Sequence, residues 1–161
     1  MAENLTAARG PITIRVIWYW FPVAMMVGLM YYFSTDVFSA DNTRNIFEKI
    51  FLWFSPRASK RAILTFNYIL RKSAHFTEYA ILGGLLFRAF RAGNPVRWRF
   101  KWALQSFVFA AAWALVDELH QSFTRKRGAS IWDSLLDSSG ALFMLIVIWM
   151  VFRRPRIRAS S

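Results

Sequence analysis

The run from Ile14 to Phe33 carries no charge beyond Arg15 at its edge. No other feature restricts the fold so strongly. A segment of this length and apolarity matches the hydrocarbon thickness of a bilayer. There every backbone polar group must find its partner within the segment, so the segment is helical. Pro22 marks a kink point inside it. The run is too long and too aromatic for a typical signal-peptide core, and no small-residue cleavage pattern follows, so it is expected to stay in the mature protein. Three further apolar runs follow, at about 74–90, 100–118 and 135–152. The second is the weakest, being interrupted by His75, Glu78 and Arg88. The expected fold is an all-α membrane protein, a four-span helical bundle forming a single domain over residues 1–161.

Composition enters through charge. The net charge of +12 would suit nucleic acid, but 56% of the chain is hydrophobic, and its Lys and Arg residues flank apolar runs instead of lining polar helices. Membrane-flanking charge is the better reading, and nucleic acid is excluded as a partner. The absence of cysteine removes disulfides and thiolate chemistry.

Between the first two runs lies a long connection, 34–73. Its segment Asn45–Phe54 mixes apolar and charged residues at helical spacing and predicts an amphipathic helix on the membrane surface, with Asp41 or Asn42 as its cap. A helix covering the side of its own domain fits the pattern equally. Ala62–Leu70 predicts another helix leading into the second span. Arg88, Arg91, Arg97, Arg99 and Lys101 crowd the short second loop, and Arg153, Arg154, Arg156 and Arg158 form the tail. Basic residues divide almost evenly between the two sides, but their density in the short loop decides the orientation. That loop and both termini are expected in the cytoplasm.

This topology brings unusual polar residues from three spans to the outer face. Lys72, His75 and Tyr79 stand at i, i+3 and i+7 on one stripe. Asp117 and Gln121 are i, i+4, as are Asp133 and Asp137, with Gly140 on the same face one turn further. Acids in membrane-length apolar sequence are costly, which makes this cluster the expected functional site.

The pattern Lys72-x-x-His75-x-x-x-Tyr79, Asp117-Glu118-x-x-Gln121 and Arg127-x-x-Ser130-x-x-Asp133, with Gly140 behind, resembles the VanZ-like family of small bacterial membrane proteins. The resemblance covers Lys72 to about Phe143 and extends loosely to the first span, where Ser34 follows the apolar run. Asp137 departs from it, standing where the family pattern has Asn. The resemblance implies a multi-pass protein of the bacterial cytoplasmic (inner) membrane. It also implies a cell-envelope role, because the founding member is associated with resistance to the glycopeptide teicoplanin, whose target is an exported, lipid-linked cell-wall precursor. No catalytic reaction is attached to the family.

Three readings of the cluster stay open. In the first, an extracytoplasmic polar pocket binds membrane lipid, a lipid-linked precursor or a glycopeptide through Lys72, His75, Tyr79, Asp117, Glu118, Gln121, Arg127, Ser130, Asp133 and Asp137. In the second, the protein is an enzyme acting on a phosphorylated polyprenyl or lipid carrier. His75 is then the general acid or base, Asp117, Glu118 or Asp133 share its proton, and Arg127 with Lys72 holds an anionic group. A divalent metal on Asp117, Glu118, Asp133 and His75 is a variant, but no ligand spacing is diagnostic and no cofactor is indicated. The third reading is a polar lock in which Lys72 and Arg127 pair with Asp117, Glu118 and Asp133 and pin the bundle. The oligomeric state is not legible.

Other features take plainer expectations. Gly83-Gly84 and Ser138-Ser139-Gly140-Ala141 are small residues that let helices approach closely. Trp18, Trp20, Trp98, Trp102, Trp132 and Trp149 serve as interfacial anchors or bundle filling. His120 is assigned a neutral hydrogen-bonding role, and Glu78, one position off the Lys72 stripe, a pairing with an arginine.

Overall fold

The computed structural model describes residues 12–34, 40–122 and 131–153, except for the side chains of 12, 13, 40–46, 121, 122 and 131. Five helices follow one another: α1 (Ile12–Phe33), α2 (Ala40–Phe54), α3 (Lys60–Arg91), α4 (Phe100–Ser122) and α5 (Ile131–Arg153). Among the described residues there is no strand. The all-helical expectation therefore stands. Two helices, α1 and α5, are long and apolar enough to cross a membrane, over Ile14–Phe33 and Trp132–Arg153.

Three helices, α3, α4 and α5, form the centre of the bundle, and α1 lies against α3. Contacts between α3 and α5 climb both helices together. Lys72 meets Asp133, and Gly140 lies against Phe76 and Ala80. Further along, Gly83 lies against Ala141 and Gly84 against Met144. The two helices therefore run parallel and in direct contact, and α4, which links them in sequence, packs against both in the opposite direction. Their close approach is built on absent side chains. A Cβ at Gly140 would run into the Phe76 carbonyl oxygen, and one at Gly83 would sit 3.0 Å from the Ala141 Cα. The small-residue reading of both segments is correct here, with Gly83 and Gly140 facing backbone and Gly84 the Met144 side chain.

The core follows from this crossing. Tyr79, Leu82, Leu86 and Ala89 of α3 bury against Ala110 and Ala114 of α4, Ala141 of α5, and Val23 and Met30 of α1. A second cluster gathers Phe87, Trp102 and Leu145. Trp102 thus fills the bundle, whereas Trp18 and Trp132 stand exposed. Large apolar side chains also remain exposed along α1, α4 and α5, including Phe21, Met25, Val108, Leu115, Leu142 and Ile146. A chain dissolved in water rarely tolerates so much uncovered apolar surface.

Two local expectations change. The α3 helix is continuous from Lys60 to Arg91, so Ala62–Leu70 is its first half and not a separate helix. Ser59 caps it, the Oγ accepting from the Ala62 amide at 3.2 Å. Its 32 residues reach about 48 Å at 1.5 Å per residue, longer than the bilayer core. The amphipathic α2 starts at Ala40, so Asp41 and Asn42 lie inside its first turn instead of capping it. It packs on the first half of α3 through Phe51 and Phe66, whose stacked rings are 4.6 Å apart, while Trp53 and Phe54 stay exposed. The α1 helix runs through Pro22 without interruption.

The end of α3 gathers basic residues. Arg15 donates to the Ala92 carbonyl at 2.9 Å, and Arg88 lies over the Trp18 and Tyr19 rings. Arg91 donates to the carbonyls of Asn94 and Val96 and lies over Phe152. Ala92 takes a left-handed conformation to end the helix, and Gly93 follows with φ 74°.

Candidate functional site

At the opposite end of the bundle, three helices each contribute polar side chains to one region. The α3 helix brings Lys72, His75 and Tyr79, whose spacing places them on one face. The last turns of α4 bring Asp117 and Glu118, and the first turns of α5 bring Asp133 and Asp137. Parallel α3 and α5, with α4 packed antiparallel against both, bring together residues as far apart in sequence as Lys72 and Asp133.

The acids divide between two depths. Asp133 sits at the mouth and forms an ion pair with Lys72, both side chains being part-exposed. Deeper in, Asp117, Glu118 and Asp137 are 4%, 8% and 5% exposed. One potential ligand atom from each of His75, Asp117 and Asp137 lies within 4.8 Å of the other two. Tyr79, one turn on from His75, is wholly buried, and its hydroxyl has no hydrogen-bond partner among the described residues.

Glu78 lies beside a histidine instead of the arginine expected from sequence. Its Oε2 is 3.7 Å from His75 Nδ1, beyond ordinary hydrogen-bond reach. His120 lies against Tyr31 with ring centroids 4.7 Å apart and planes tilted by 37°, and its Nδ1 finds no hydrogen-bond acceptor or donor among the described residues. Ser34, at the end of α1, is buried. Gln121 belongs to α4, but its side chain lies outside the described residues, as do Arg127 and Ser130 entirely. Of the pairings that a polar lock requires, the Lys72–Asp133 contact is present, and those of Arg127 lie outside the described residues.

Sequence reasoning passed over Ser134. It is buried, and its Oγ donates to the Ala114 carbonyl at 3.4 Å, a long contact joining α5 to α4 beside the acids. Its i−3 position relative to Asp137 puts it on the same face, a signal that was available. Its alignment with α4 had no counterpart in the sequence.

The arrangement has clear chemical uses. Buried carboxylates a few Å apart repel strongly unless a proton, a cation or hydrogen-bond donors lie among them. Such a cluster is therefore suited to hydroxyl or amine donors, to a cation, or to proton exchange with His75.

The VanZ/LLP1 family model matches residues 18–153. It spans α2 to α5 and most of α1, in agreement with the resemblance drawn from the spaced polar motifs. No curated protein and no solved structure matches the chain.

Proposed function

Because this chain belongs to the VanZ/LLP1 family, we propose that it is a cell-envelope membrane protein whose extracytoplasmic polar pocket binds the headgroup of a lipid-linked ligand. In this reading α3 and α4 cross the bilayer together with α1 and α5. Exposed Leu104, Val108, Phe109 and Leu115 on α4 meet lipid. The basic end, with Arg88, Arg91 and the loop that follows, faces the cytoplasm along with both termini. The polar end then faces the envelope. A link to teicoplanin-type glycopeptide resistance belongs to the same reading, since the precursor that such antibiotics capture is lipid-linked and exported.

The observation that carries the reading is the gathering of Asp117, Glu118 and Asp137, buried beside Tyr79, under the Lys72–Asp133 pair at the mouth. Polar groups at this depth in an otherwise apolar bundle are costly to retain, and a ligand would give them work to do. The carboxylates accept from sugar hydroxyls or peptide amines. Lys72 can leave Asp133 for a phosphate, because the pair is part-exposed and therefore weak.

Binding can be measured with a fluorescent polyprenyl-pyrophosphate-linked sugar in vesicles containing the purified chain. Saturable binding is expected. A charge-assisted hydrogen bond contributes about 1.5–3 kcal/mol, so Lys72→Gln should weaken binding roughly tenfold or more. Failure of the wild-type chain to bind the probe, or equal binding by Lys72→Gln, would refute the proposal.

A further inference from the structure

We infer that His75, Asp117 and Asp137 form a binding site for one divalent transition-metal ion of the Zn²⁺ or Mn²⁺ class. The inference deepens the reading of this cluster as a ligand pocket and rests on it. Three separate helices supply the donors, and their potential ligand atoms lie within 4.8 Å of one another. Ligand atoms on such an ion stand about 3–4 Å apart, given metal–ligand distances near 2.0–2.2 Å, so small side-chain rotations close the triangle. One imidazole and two carboxylates are a donor set that zinc and manganese accept, and the two carboxylates balance the charge of a divalent ion.

Two further observations point the same way. The wholly buried Tyr79 hydroxyl has no hydrogen-bond partner among the described residues, although it stands one turn from His75 beside buried acids. An orphaned buried hydroxyl is rare. An ion, or a water on that ion, supplies the missing partner. Glu78 stands 3.7 Å from His75 Nδ1, and a small side-chain shift would bring it within hydrogen-bond reach to orient the ring when the other ring nitrogen holds an ion.

The ion also answers a problem of charge. A phosphate approaching Asp117, Glu118 and Asp137 meets like charge. A divalent ion held by three protein groups removes that repulsion and keeps open coordination positions that a phosphate oxygen can take.

The test uses the full chain with any affinity tag removed, stripped by chelator in detergent and then dialysed against Zn²⁺ alone or Mn²⁺ alone. Elemental analysis should count one ion per chain, and pulsed electron paramagnetic resonance of the Mn²⁺ form should show coupling to an imidazole nitrogen. His75→Gln and Asp137→Asn should lose stoichiometric metal. Glu78→Gln should weaken it roughly 10- to 100-fold, and Asp133→Asn, outside the set, should retain it. A folded wild-type chain that binds neither ion, metal retention by Asp137→Asn, or Mn²⁺ without nitrogen coupling each overturns the site. If the variants do not fold, the nitrogen coupling of the wild-type chain decides alone. Binding of the lipid probe by a metal-free chain that takes up no ion would overturn the cation site and leave the proposed function intact. Metal uptake without probe binding would do the reverse.

Discussion

Tyr79 is the residue whose chemistry differs most between the readings of the pocket. Its ring is core, packed with Leu82 and Ala114, while its hydroxyl lies among acids without a described partner. Leaving a hydroxyl buried and unbonded costs about 1–3 kcal/mol. In chelator, Tyr79→Phe is therefore expected to raise the midpoint of thermal unfolding, by about 2–4 °C per kcal/mol recovered in a chain of this size. The same substitution should weaken metal binding. A lower midpoint in chelator would mean that the hydroxyl already has a partner. At this scale the sequence was partly legible. The Lys72, His75, Tyr79 stripe follows from helical periodicity alone. The distribution of the acids does not. Asp133 and Asp137 share a face of α5, yet one pairs with Lys72 at the mouth and the other joins His75 and Asp117 in the interior. One helical turn of depth separates those fates, and depth is set by neighbouring helices.

Among the elements, the α3–α5 crossing holds the site together. It places Gly140 of α5 against the backbone at Phe76 and Ala80, the residues that follow His75 and Tyr79 of α3. A methyl group there meets a carbonyl oxygen that no rotamer change can move away. Gly140→Ala is therefore expected to separate the helices and destabilise the chain by about 1–3 kcal/mol, the usual cost of overpacking. Gly28 of α1 is the control. A Cβ there meets nothing within 4 Å, so Gly28→Ala should be neutral or gain up to about 1 kcal/mol from helix propensity. Thermal unfolding of both variants in detergent checks the pair, and equal effects would contradict the crossing. Sequence composition revealed that these segments are small-residue contacts, but the identity of the partner helix came from the fold. The same limit explains the misplaced cap of α2 and the unrecognised continuity of α3. Ala62–Leu70 is expected from sequence as a helix leading into the second run, and the two are one helix because its backbone hydrogen bonds continue through Arg71 and Lys72.

For the whole molecule, the polarity of the two ends carries the prediction. Basic residues gather where α3 ends and α4 begins, and the polar pocket lies at the other end. The chain contains no cysteine, so single substitutions report cleanly. Ser55→Cys in intact cells is expected to react with a membrane-impermeant thiol reagent, and Pro95→Cys only after the cells are opened. The reverse pattern would put the pocket in the cytoplasm and remove the envelope reading. Sequence alone determined the helical class, the family and the residue types gathered at the polar end, because the 3.6-residue repeat and the insolubility of bare backbone in lipid act locally. The tertiary structure decided which acid faces which base, that His75, Asp117 and Asp137 converge, and that Tyr79 has its hydroxyl buried among them. Those facts depend on the parallel register of α3 and α5 and on the glycine contacts that fix it, and both are distances between segments far apart in the chain.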